Sequence, residues 1–281
     1  MAAVKAYPCP RMTLQTPDIA ATEALLAFWR DAGVDACYLD EPVDRTVFVA
    51  PPLSIAPSPA SSGVVTPLRA PNAADAVAEA RAAAAQANSM EDLAEAIAAF
   101  EGCPLKGMGA RQSVFSRGDP KGALMIVGEG PGADEDIQGK PFVGKAGQLL
   151  DRILAAADLL DQAFITNTVF WRPPGNRTPT PLEQAVCAPF LDRAFVLLRP
   201  RAVLLVGAAA AKSVLKIEEG IMRTRGQWRE WRSPDGDVSA PVIATLHPAF
   251  LLRQPQAKGL VWKDILDLSA RLSGEKLEPP A

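Results

Sequence analysis

A chain of 281 residues, 48% of them apolar, has material for one good-sized core and an accessory segment, and its longest apolar run, residues 202–211, is broken at Gly207, which excludes a membrane-spanning helix. Four cysteines in no paired spacing (Cys9, Cys37, Cys103, Cys187) exclude a disulfide framework, and a single histidine, His247, excludes a multi-histidine metal centre. The net charge of −3 speaks against nucleic acid, but its distribution does not: residues 1–102 carry −7 and residues 103–272 carry +5.

The first residues, Met1 to Pro8, lack the apolar core and cleavage site of an export signal, so a cytosolic location with reduced thiols is expected. Residues 1–49 read as a helical, acidic segment, with an amphipathic stretch at 20–32 and acidic turns between Asp40 and Asp44. Residues 50–72 are dense in Pro, Ala and Ser, the composition of an extended linker. Residues 73–102 form a helical connector: an Ala-rich helix over 73–87, then a short helix over 91–99 started by Ser89 with an acid three residues on. No functional signal precedes Cys103.

From Leu124 the pattern changes. Apolar, β-rich runs at Leu124–Gly128, 164–170, 203–206 and 242–245 alternate with helical stretches at 146–157, 182–198, Ala208–Leu215 and 259–272. This alternation predicts an α/β fold: an αβα sandwich with a four-stranded, mostly parallel sheet plus an N-terminal helical arm, the main domain spanning 103–272 and a tail 273–281. In such sheets ligands bind at the carboxyl ends of the strands, so the chemistry should follow the strands.

After the first strand comes Gly128-Glu129-Gly130-Pro131-Gly132, then Glu135-Asp136 and Gly139-Lys140-Pro141-Phe142-Val143-Gly144. The glycines permit close approach of backbone to a ligand; the acids disfavour a phosphate cradle and suit positioning of water or stabilisation of positive charge. Phe142 is by residue type a core residue before it is a stacking platform. After the second run, Asn167 either bonds neighbouring backbone or reads a donor and an acceptor on a base edge. Arg172 and Arg177, in a Pro-rich loop, either contact phosphates or stand in solvent. After the fourth run, His247 precedes a proline, and Leu251, Leu252 and Arg253 form an apolar-then-basic tip suited to wedging into a base stack beside a phosphate.

Together these segments resemble the uracil-DNA glycosylase superfamily, and within it family 4. The resemblance is carried by Gly128 to Gly132 with Glu135-Asp136, the Gly-x-Pro-Phe-Val-Gly-x-Ala-Gly run over 139–147, Thr166-Asn167, the Arg-Pro-Pro-x-Asn-Arg loop from Arg172 to Arg177, Arg-Gly-x-Trp from Arg225 to Trp228, and His-Pro-Ala-Phe-Leu-Leu-Arg from His247 to Arg253, where Phe250 replaces the family's Tyr. It covers about residues 103–272.

The resemblance implies a DNA glycosylase that flips uracil out of single- or double-stranded DNA and hydrolyses its N-glycosidic bond, acting as a monomer away from membranes. Catalysis is implied for Glu129, His247, Glu135 and Asp136. Substrate binding falls to Gly130, Phe142 and Asn167, with Phe142 stacking on the ring, Asn167 reading N3 and O4, and His247 bonding O2. DNA contacts fall to Arg172, Arg177, Leu251, Leu252 and Arg253. Family 1 enzymes have Asp at the place of Gly130, so the group that handles water stays open. Family 4 also holds a [4Fe–4S] cluster on four cysteines. Here Cys103 and Cys187 match two of them, while Phe100 and Trp171 occupy the other two places. The expectation is that no metal is bound, with Cys103 and Cys187 as relics and the rings filling the space as core. Two alternatives are a non-catalytic DNA- or uracil-binding module and a generic nucleotide-binding α/β enzyme. The set Glu129, Asn167 and His247 speaks against the first, and the 247–253 tip against the second.

Overall fold

The computed structural model describes residues 73–274; the stretch at 20–32, the linker at 50–72 and most of the tail lie outside the described residues. Helix α1 (Ala73–Gln86) presents Ala76, Ala80 and Ala84 on one buried stripe, the spacing expected of an Ala-rich amphipathic helix. Helix α2 (Met90–Ala99) starts in the capping box read from the sequence: Ser89 Oγ accepts from Asp92 N at 3.0 Å, and Asp92 Oδ2 accepts from Ser89 N at 3.1 Å. Such a cap contributes about 1 kcal/mol.

The sheet follows. Strand β1 (Ser116–Gly118) leads to β2 (Leu124–Gly128), then helices α3 (Ala133–Gln138) and α4 (Lys145–Ala155), β3 (Ala163–Asn167) and the long helix α5 (Pro181–Leu198). Next come β4 (Ala202–Val206), α6 (Ala208–Leu215), the single turn α7 (Ile221–Thr224), β5 (Trp228–Arg232), β6 (Ser239–Thr245), α8 (Pro248–Arg253) and α9 (Lys258–Ser273). The spatial order is β1-β3-β2-β4-β6-β5. The inner four strands are parallel and coincide with the four apolar runs; the two outer strands are antiparallel. The expectation of four strands is therefore corrected to six. The edges went unread because β1 is three residues long and ends in glycine, while β5 alternates Trp with Arg and Glu and so lacks an apolar run.

Alternating residues of the inner strands feed two cores. Met125, Val127, Val203 and Leu205 pack with α1, α2, α5 and α6, whereas Leu124, Ile126, Leu204 and Ile243 pack with α4, α8 and α9. This is the αβα sandwich. Residues 73–102 join the first layer, and Arg193 of α5 donates twice to Ala87 O, at 2.9 and 2.6 Å. Strand order reverses at β2, whose successors β3 and β4 lie on opposite sides of it, and a crevice opens at such a reversal. No helix among the described residues is long and apolar enough to cross a membrane.

Candidate functional site

A cavity of about 750 Å³ lies at the carboxyl ends of the parallel strands, walled by Glu129, Phe142, Asn167, Pro173, His247 and Arg253. Three strands deliver its central groups: Glu129 follows β2, Asn167 ends β3 and His247 follows β6.

Asn167 is 1% exposed, and its Oδ1 has no hydrogen-bond partner among the described residues. A buried, unpaired amide oxygen costs about 1–3 kcal/mol, so this acceptor calls for a donor that the described residues do not supply, from water or from a ligand. In register with Asn167 stands Gly128 of β2. A Cβ there would lie 2.4 Å from Phe142 Cζ and 2.5 Å from Asn167 Oδ1, so only glycine lets ring and amide converge. Phe142 itself has φ +56, in the left-handed region, and its ring lies near-parallel to that of His247, with centroids 5.9 Å apart.

His247 caps α8: its Nδ1 accepts from Ala249 N at 3.1 Å. The proton of the neutral imidazole therefore sits on Nε2, which is free to donate. Burial, then the charge of Arg253, lowers its pKa below the ordinary 6.5, against a smaller opposing pull from Glu135. The folded protein thus resists protonating this ring. Stability on its account is full above pH 6.5 and falls as pH drops below that value, because the unfolded chain takes the proton first. As His247 is the only histidine, its imidazole NMR signal is unique; its titration midpoint should lie below the ordinary 6.5, and a midpoint at or above 6.5 would contradict the assignment.

The acidic residues separate into different roles. Glu129 is held through its main chain, where its carbonyl accepts from Thr168 Oγ1 at 2.6 Å and Val169 N at 3.3 Å, and the residue lines the cavity. Gly130 lines it too, and a Cβ there would come within 2.8 Å of Val169 Cγ2. Glu135 accepts from Val143 N and Gly144 N, both at 2.9 Å, and from Gly132 N at 3.1 Å, so it ties the first glycine loop to the Phe142 loop. Asp136 requires a correction: it is 2% exposed, lies outside the cavity wall and accepts from Arg111 N at 2.8 Å. On helix α3 its neighbour Glu135 takes the cavity side, and the helical rotation of about 100° per residue carries Asp136 away.

The DNA-facing candidates also divide. Leu251 is fully buried in the core with Ile243 and Ile265 and cannot act as a wedge; the exposed apolar residues of that tip are Leu252 and Phe250. Leu251→Ala should therefore cost about 2–5 kcal/mol of stability in a denaturant melt, while Leu252→Ala leaves the melt unchanged and lowers affinity for duplex DNA. Arg253 stands exposed at the cavity mouth. Arg172 Nε donates to Asn176 Oδ1 at 2.7 Å, which shapes the loop. Arg177 is exposed and lines the cavity, and its guanidinium makes a two-pronged pair with Glu183 at 2.7 and 2.8 Å; that buried carboxylate also completes the cap of α5 at Thr180. The pairing holds Glu183 below the usual carboxylate range.

Two groups gave no signal in the sequence. Buried Asp264 of α9 accepts from Thr245 Oγ1 at 2.6 Å and pairs with Arg225 at 2.5 Å, pinning the strand end two residues before His247. Arg117 of β1 reaches the carbonyls of the Phe142 loop.

The cluster region offers two thiols, Cys103 and Cys187, both buried, with burial pushing the Cys187 thiol up. Phe100 packs edge-to-face on Phe190 at 5.2 Å, and Trp171, 1% exposed, packs edge-to-face on Phe170 at 6.3 Å. Two thiols, a phenyl ring and an indole do not fit a four-thiolate cluster.

A parallel sheet covered on both faces, with a cavity of about 750 Å³ where its strand order reverses, walled by a buried amide and an aromatic ring, is the arrangement of an α/β enzyme. The model of the uracil DNA glycosylase superfamily matches residues 115–266. The type-4 uracil-DNA glycosylase of Pyrobaculum aerophilum is 36% identical over 181 residues, covering 63% of this chain and 91% of that protein. That of Thermotoga maritima is 35% identical over 180 residues, with 63% and 91% covered, and that of Sulfurisphaera tokodaii 34% over 183, with 63% and 82%. The chain belongs to the uracil-DNA glycosylase superfamily.

Proposed function

We propose that this protein removes uracil from DNA by hydrolysing the bond between the base and its deoxyribose. The observation that carries the reading is the unpartnered Asn167 Oδ1 at the cavity floor. A flipped uracil supplies its missing donor: N3–H donates to Oδ1, and Nδ2–H donates to O4. Cytosine reverses both groups at that edge. Phe142 stacks on the ring. As the C1′–N1 bond breaks, its electron pair passes to the base and charge gathers at O2, where His247 Nε2–H donates. The Glu129 carboxylate orients a water on the sugar, steadies the positive charge at C1′, and takes the water's proton as oxygen bonds to C1′. Glu135, engaged by three backbone N–H groups, shapes the pocket and faces the ring side of the loop. Arg253 meets phosphate, and Leu252 fills the space that the flipped nucleotide leaves.

The protein works as a cytosolic monomer on uracil in single or double strands and needs no iron–sulfur cluster. The packing of Phe100 and Trp171 supports that last point. Anaerobically purified protein should show no broad band near 400 nm and no stoichiometric iron; about four irons per chain would overturn it.

Incision of oligonucleotides carrying one uracil tests the function as a whole. An alkali-labile site at the uracil is expected in both strand contexts. Tight binding without such a site would favour a non-catalytic module, and no affinity for DNA a generic nucleotide enzyme.

A further inference from the structure

We propose that Arg117 is a positioning residue for base recognition, holding the peptide between Phe142 and Val143 so that the Phe142 ring lies flat against the pocket. The proposal rests on the reading that the cavity receives a flipped uracil.

Phe142 has φ +56, a conformation that a phenylalanine adopts only when its surroundings impose it. The imposing contacts are visible at both ends of one peptide group. Its carbonyl, Phe142 O, accepts from Arg117 Nη2 at 3.1 Å, and its N–H, on Val143, donates to Glu135 Oε1 at 2.9 Å. A cation at the oxygen and an anion at the hydrogen align with the peptide dipole, so any flip of that peptide would face two opposed charges. Arg117 also donates from Nε to Pro141 O at 2.7 Å. No backbone N–H among the described residues takes either carbonyl. Gly147 at the start of α4 leaves room for the arrangement, since a Cβ there would lie 1.8 Å from Phe142 O.

Arg117 is itself fixed. Its side chain is 18% exposed and pairs with Asp151 of α4 at 2.5 Å. Its strand pairs with β3, placing Arg117 opposite Ile165, two residues before Asn167. One side chain therefore couples the strand that carries the reading amide to the loop that carries the stacking ring. The guanidinium fork suits this role because two carbonyls and a carboxylate must be met from one fixed plane.

Arg117→Gln and Arg117→Lys should be compared with Asp151→Asn, which removes the ion pair but neither carbonyl contact. Single-turnover release of uracil, inhibition by free uracil, affinity for undamaged DNA and thermal melting are read on each. For Arg117→Gln the excision rate and the potency of free uracil should both fall about tenfold, the equivalent of about 1.4 kcal/mol. Affinity for undamaged DNA should stay within about twofold, set as it is by phosphate contacts elsewhere. Lysine should recover part of the rate, and Asp151→Asn should melt earlier yet keep its rate within about threefold. In a Phe142→Ala background the Arg117→Gln change should cost no further rate, because the coupling runs through that ring. Wild-type rate and uracil inhibition in Arg117→Gln would overturn the proposal, as would rate losses that follow melting temperature across all variants. Should the wild-type protein release no uracil, the functional reading fails first and the role of Arg117 falls with it.

Discussion

Replacing Asn167 by Asp is expected to lower single-turnover excision of uracil about a thousandfold while the fold persists. The change is nearly isosteric, so the packing of β3 against β2 survives. What changes is the hydrogen-bond pattern. The carboxylate keeps an acceptor for N3–H but loses the Nδ2 donor, so uracil O4 meets an oxygen. At a site 1% exposed, an anion also carries a desolvation cost that the amide did not. A lost donor plus an acceptor–acceptor clash amounts to about 4 kcal/mol, or about three powers of ten. The accompanying change should be a loss of selectivity: a protonated carboxyl can donate its O–H to cytosine N3 and accept from the N4 amino group, so cytosine becomes a competing base. Assays on matched oligonucleotides with uracil or cytosine at one place read both effects.

The second large effect is expected at His247. Truncation to Ala removes the Nε2–H donor from the position where charge develops on O2, and a preorganised donor of this kind is worth about 3 kcal/mol, or more than a hundredfold in rate. DNA affinity should change little, because the phosphate contacts lie elsewhere. His247→Gln should recover part of the loss, since an amide can also donate. The ring has a structural duty as well, capping α8 through Ala249 N, so a modest drop in melting temperature is expected with the Ala variant. A loss of DNA affinity equal to the loss of rate would show that the helix, not the donor, was being measured.

The inner sheet was legible because it is buried on both faces, and four apolar runs bounded by glycine and proline stand out from their surroundings. Ends were less legible. The second apolar run extends to Phe170, but the strand ends at Asn167; Thr168 N and Val169 N still donate to Gly128 O and Glu129 O, and Phe170 O accepts from Val114 N. The edge strands were hidden by their composition, and with β1 went Arg117.

Within the site, residue types at strand ends offer Glu129, Asn167 and His247 as candidates and leave Phe142 to the core; the family resemblance singles out all four, which the fold brings around one cavity although up to 118 positions separate them. What sequence could not rank was orientation. Glu135 and Asp136 are adjacent acids, and only the turn of α3 decides which faces the loop and which meets Arg111. Leu251 and Leu252 differ in the same way, one in the core and the other in solvent. Arg177 reads as a free cation until the buried Glu183 is found beside it.

The most direct measurement is release of the free base. With protein in excess over a duplex carrying one uracil, chromatography of the supernatant should show one uracil per strand from the wild-type protein and about a thousandth of that rate from Asn167→Asp. Uracil left attached to the strand, or an Asn167→Asp protein that releases it as fast as wild type, would contradict the assignment of this pocket.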